Sequence, residues 1–169
     1  MTIINRRIAV AALAGMLALG TTTLTACGSA IENAVEEAAG NAVGGDVNID
    51  DGNVSVTDSE GNEMSIGEDV SIPDNWPSEI PVFDNGKLVT VVIGSGGSSV
   101  NAMWTTDATP EEAAAAYGSA LESAGFTKGD VSAAAGMASG DYTGNGYKVT
   151  VVTLSADGAS SLMVNAEKE

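Results

Sequence analysis

Residues 109–126 read TPEEAAAAYGSALESAGF, and the reading of this stretch sets the expectation for the rest of the chain. Thr109 can accept from backbone amides at a helix start, Pro110 suits the first helical position, and Glu112 completes a capping box with Thr109. Ala113, Tyr117, Ala120, Leu121 and Ala124 recur at three- and four-residue spacing, which lays an apolar stripe along one face. Gly125 supplies a left-handed stop, after which Phe126 can fold back on Leu121.

On either side of this helix the apolar period changes from that of a helix to two, the spacing of strands. Upstream, Lys87–Ile93 is rich in β-branched residues, the glycine- and serine-rich Gly94–Ser99 turns the chain, and Val100, Ala102 and Trp104 alternate. Downstream, Val131–Met137 has no clear period, Asn145-Gly146 predicts a tight turn, and Lys148–Leu154 reads as a strand. Asp157-Gly158 then turns into Leu162, Val164 and Ala166. The expected fold for residues 87–169 is α+β: an antiparallel sheet with one packed helix, in the order strand-strand-helix-strand-strand, with room for a further strand. A domain with few aromatics spends them on its core, which is the expectation for Trp76, Trp104, Tyr117, Phe126, Tyr142 and Tyr147.

Before this domain, residues 73–86 hold three of the four prolines and read as a rigid connector pinned by Trp76 and Ile80. Residues 46–72 alternate in shorter runs, Val47 and Ile49, Val54 and Val56, Met64 and Ile66, separated by Asp-Gly and Gly-Asn turns. They predict a separate small acidic β-meander with one face of Asp, Asn, Ser and Thr in water. Residues 27–45 carry too little apolar area for a core and read as a frayed helix or flexible tether.

At the start of the chain, Arg6-Arg7 precedes a roughly 13-residue apolar run, Ile8 to Gly20, too short for a spanning helix of about 20 residues and suited to a cleaved secretory signal. Whether the arginine pair serves a twin-arginine route or is an ordinary basic start stays open. Leu24-Thr25-Ala26-Cys27 resembles the lipobox of bacterial lipoproteins. That resemblance implies a signal peptide of residues 1–26, lipoprotein processing enzymes as partners, diacylglycerol and further acyl groups on Cys27, and a lipid anchor at the extracytoplasmic face of the cell membrane. A lone cysteine agrees, since a disulfide scaffold uses an even set. Trp76–Pro81 with Thr109–Phe126 is similar to small domains of Gram-positive lipoproteins, a family that brings no known activity.

Composition narrows the partners. Without residues 1–26, 143 of the 169 residues remain, with four lysines against 23 acids. Residues 28–86 hold 14 of those acids and no Lys or Arg, so nucleic acid and anionic headgroups would be repelled. Contact with the bilayer is expected through the Cys27 acyl chains alone.

Enzymatic chemistry lacks its usual parts. The chain has no histidine, its one cysteine sits in the lipobox, and no serine lies three residues before a lysine. Gly94-Ser-Gly-Gly-Ser-Ser follows a strand, as a phosphate loop would, but leads into another strand and fits a hairpin loop better. The function expected is a non-enzymatic binding or structural module of the envelope, its ligand open.

Two alternatives stand beside it. Asp46-x-Asn48-x-Asp50-Asp51-Gly52 looks like an EF-hand loop in its alternating oxygen ligands, and makes calcium or another divalent cation a candidate for residues 46–60. Its glycine falls at the seventh place, and Thr57 stands where a bidentate glutamate belongs. A hydrolase built on two carboxylates is the third reading; with aromatics at 4%, few rings are left to stack on sugars.

Overall fold

In the computed structural model, the described residues are 36–37, 40–41, 44–50, 52–68, 70–156 and 159–169. They build one nine-stranded antiparallel sheet with a single long helix on it. The strands are β1 (Gly45–Asp50), β2 (Asn53–Asp58), β3 (Glu63–Ile66), β4 (Lys87–Ile93), β5 (Ser99–Thr106), β6 (Thr127–Ala134), β7 (Met137–Gly144), β8 (Tyr147–Ala156) and β9 (Ala159–Lys168). The helix, α1, is Pro110–Ser123. In space the order is β1-β2-β3-β4-β5-β9-β8-β7-β6. Two meanders, β1–β5 and β6–β9, therefore meet along β5 and β9, whose register runs from Ser99 opposite Glu167 to Thr106 opposite Ser160.

This corrects the expected fold class. A small sheet with one packed helix, preceded by a separate acidic meander, does not describe the molecule, because β3 pairs directly with β4 from Glu63↔Ile93 to Ile66↔Thr90. The acidic strands are the outer third of one large sheet. Sequence punctuation could not reveal this, since β3 and β4 are joined by the long 67–86 segment and no tight turn fixes their register. The unperiodic stretch 131–137 lies across the end of β6 and the start of β7. As an edge strand β6 is exposed along its whole length, so it has no apolar side to betray it.

Local chemistry accounts for the elements. At the start of α1 the Glu112 amide donates to the Thr109 hydroxyl at 3.3 Å, and the Thr109 amide donates to the Glu112 carboxylate at 3.1 Å. At its end Gly125 takes φ +94°, and the Phe126 amide donates to the Leu121 carbonyl at 3.0 Å, which closes a Schellman-type stop. Asn145 (φ 52°) and Gly146 (φ 78°) form the left-handed pair that a two-residue hairpin between β7 and β8 requires.

One face of the sheet, here the front, is covered. Over β7–β9 lies α1, whose Ala113, Tyr117 and Leu121 are buried against Val149, Val151, Leu162 and Val164. Over β4 and β5 lies the proline-rich stretch, with Ile80 and Phe83 buried. Trp76 donates its indole N–H to the Ile80 carbonyl at 2.7 Å, and the Tyr117 hydroxyl donates to the Pro81 carbonyl at 2.8 Å, tying the two covers together. Trp104 stands between them, edge-on to both Trp76 and Phe83 at ring-centroid distances of 6.0 and 6.3 Å.

Candidate interaction surface

The opposite, back face of the sheet has no such cover among the described residues. Register shows what it presents. On the front, Val91 of β4 stands opposite Ser65 of β3, Ser65 opposite Ser55 of β2, and Ser55 opposite Asn48 of β1. The Ser55 and Ser65 hydroxyls are 2.8 Å apart, which confirms that they share one side. The front therefore changes from apolar to polar on crossing from β4 into β3.

On β1–β3 the apolar side chains take the back face instead. Val47 and Ile49 stand beside Val56 and Val54, and these beside Met64 and Ile66. The row goes on through Val92 and Thr90 of β4 to Met103 of β5, then to Met163 of β9 and Val152 of β8. These side chains are half-buried by their neighbours in the sheet, and Ile66 is 46% exposed. At the centre a shallow groove of about 310 Å³ is lined by Met103, Met163, Val92 and Val152, with Asn101 and Asn165 paired to each other at its side.

Charge is kept to the margins of this face. Asp46, Asp50 and Glu63 fall on the front. The back-face acids of β1–β5 and β7–β9 stand at strand ends or on β7: Asp58, Asp141 and Glu167. Asp58 accepts from the Glu60 and Asn62 amides and the Asn62 side chain, which holds its carboxyl below the usual range, the Asn62 side-chain bond first. Asp141 accepts from the Thr150 hydroxyl at 2.8 Å, and Glu167 stands opposite Lys148.

The sequence candidates distribute as follows. Leu24, Thr25, Ala26 and Cys27 lie outside the described residues, as does Asp51. Asp46, Asn48 and Asp50 are all exposed on the front of β1, spread along an extended strand opposite Thr57, Ser55 and Asn53. Asp58 points to the other face and is engaged by its own turn. No cluster of three or more His, Cys, Asp or Glu able to hold a metal occurs among the described residues. Trp104, Tyr117, Phe126, Tyr142 and Tyr147 are buried in the core, and Trp76 packs against it. Burial pushes the Tyr117 hydroxyl well above its ordinary range.

Sequence reasoning passed over the back-face stripe. Its signal was present as two alternating patterns, one in residues 47–66 and one in 87–166, but their relative phase is set only by the β3–β4 register. No helix among the described residues is long and apolar enough to cross a membrane. Comparison of the chain with protein families, curated proteins and solved structures finds no match. Function therefore has to be argued from the residues themselves.

Proposed function

We propose that the chain is a lipid-anchored, non-enzymatic module of the cell envelope, held at the extracytoplasmic face through acyl groups on Cys27, with the apolar back face of its sheet as the contact surface. The observation that carries the anchor is Leu24-Thr25-Ala26-Cys27, placed directly after a basic start and a short apolar run. The support for contact in place of catalysis is the chemistry available: no histidine in the chain, and an apolar stripe across the back face with the acids of that face at strand ends or on β7. On this reading the acidic residues 28–86 hold the domain in solution above the bilayer and contribute nothing to membrane attachment.

The test is Cys27→Ala in the full chain, followed by cell fractionation and by labelling with a clickable fatty acid. The expected outcome is loss of label together with release from the membrane fraction or retention of the uncut precursor. Normal processing with unchanged membrane retention would refute the anchor.

A further inference from the structure

We infer that the back face is where two copies of this chain meet, sheet against sheet, to make a β-sandwich dimer; this rests on reading that face as a contact surface and not on acylation of Cys27. Size is the first argument. The seven strands that carry the stripe, β1–β5, β9 and β8, lie about 4.8 Å apart and run about six residues at about 3.3 Å each, which gives an area of roughly 600 Å². Stable interfaces begin at about 600 Å² per partner, with about 800 Å² the standard size. Exposed apolar patches on monomers are commonly about 300–600 Å² at their largest.

Charge is the second argument. A chain of formal charge −17 resists self-association unless its acids are kept away from the contact. Asp46, Asp50 and Glu63 are turned to the front, while Asp58, Asp141 and Glu167 stand at strand ends or on β7. Two copies can thus meet back to back without bringing their strand acids into the centre. The same acidity, and the absence of Lys and Arg from residues 28–86, disfavours a bilayer surface as the occupant.

Composition is the third. Four of the six methionines, Met64, Met103, Met137 and Met163, occupy back-face positions of β3, β5, β7 and β9. Unbranched thioethers adapt to an irregular opposing surface, which suits two twisted sheets packed about 10 Å apart.

The methionines also provide the probe. Cells producing the full chain are grown with photo-methionine, a diazirine analogue of methionine, and irradiated. The expected product has twice the monomer mass, with Met64, Met103 or Met163 joined to back-face peptides of another copy. Val56→Asp and Val92→Asp are each expected to lower its yield about tenfold, the effect of about 1.4 kcal/mol on association. Adducts only to lipid, adducts only to other proteins, no adduct, or a dimer product insensitive to both substitutions would each overturn the proposal. If either variant fails to accumulate, the peptide map of the parent product still decides. The Cys27→Ala chain is expected to give the same product, so loss of anchoring and loss of pairing are read separately.

Discussion

The two ends of this sheet obey the same rule with opposite results. In β5 and β7–β9 the apolar side chains face front, where α1 and the proline-rich stretch bury them: Trp104, Val151, Leu162 and Val164 are at most 2% exposed. In β1–β3 alternation is just as regular, yet the apolar set faces back, and the front carries Asp46, Asn48, Ser55 and Glu63. A strand gains by burying its apolar side somewhere, so a single sheet whose two ends prefer opposite sides carries the information for two separate contacts. The first is the intramolecular core. The second is the surface assigned above to another copy.

Neighbouring residues on β5 give the sharpest test of this contrast. Trp104→Ala removes the side chain at the centre of the front core and is expected to cost about 3–5 kcal/mol, read as a lowered denaturant midpoint. Met103→Ala, one position away on the back, is expected to cost about 1–2 kcal/mol in the dilute protein, because Met103 is only partly buried there. At high protein concentration the Met103→Ala penalty should grow, since association stabilises only the folded form. Equal penalties for the two variants at low concentration would break the distinction between the faces.

A smaller effect tests how tightly the front is closed beneath α1. A Cβ added at Gly118 would collide with the Tyr142 hydroxyl, so Gly118→Ala is expected to cost about 1–3 kcal/mol through overpacking. Tyr142→Phe removes the clashing oxygen, and the double variant should recover most of that loss in a double-mutant cycle. Strict additivity would mean that helix and sheet are not in register here.

Much of the front was legible in the sequence because its signals are local. Thr109, Pro110, Glu112 and Gly125 bound α1 as their chemistry demands, and Asn145-Gly146 makes its turn. What was not legible depends on partners far apart in the chain. Ser65 alone does not reveal that it will pair with Val91, and the 20 residues between β3 and β4 leave the choice to tertiary packing. That one register joins the acidic strands to the main sheet and fixes which way Met64 and Val92 face. The candidate surface was therefore hidden although each of its residues was in plain view. Edge strand β6 was obscured for another reason: with both sides wet, its sequence is free of any period.

The least of the expected effects separates the two ends dynamically. Thr109→Ala deletes the cap of α1 and is expected to cost about 1 kcal/mol. The Thr109 amide, then its hydroxyl, hold the Glu112 carboxyl below its ordinary value of 4.5. A depressed carboxylate stabilises the fold above that ordinary value and loses its contribution as pH falls through the lower folded value. The penalty of Glu112→Gln should therefore be present at pH 7 and fade below about pH 4.5. Because α1 contacts β6–β9, hydrogen exchange in the Thr109→Ala chain should quicken in α1, β6 and β7. The β1–β3 amides, which α1 does not cover, should keep their rates wherever exchange proceeds by local opening. Quickening of both ends together would show that the sheet opens as one unit. The division of faces would then be a matter of side chains alone, with no counterpart in the stability of the backbone.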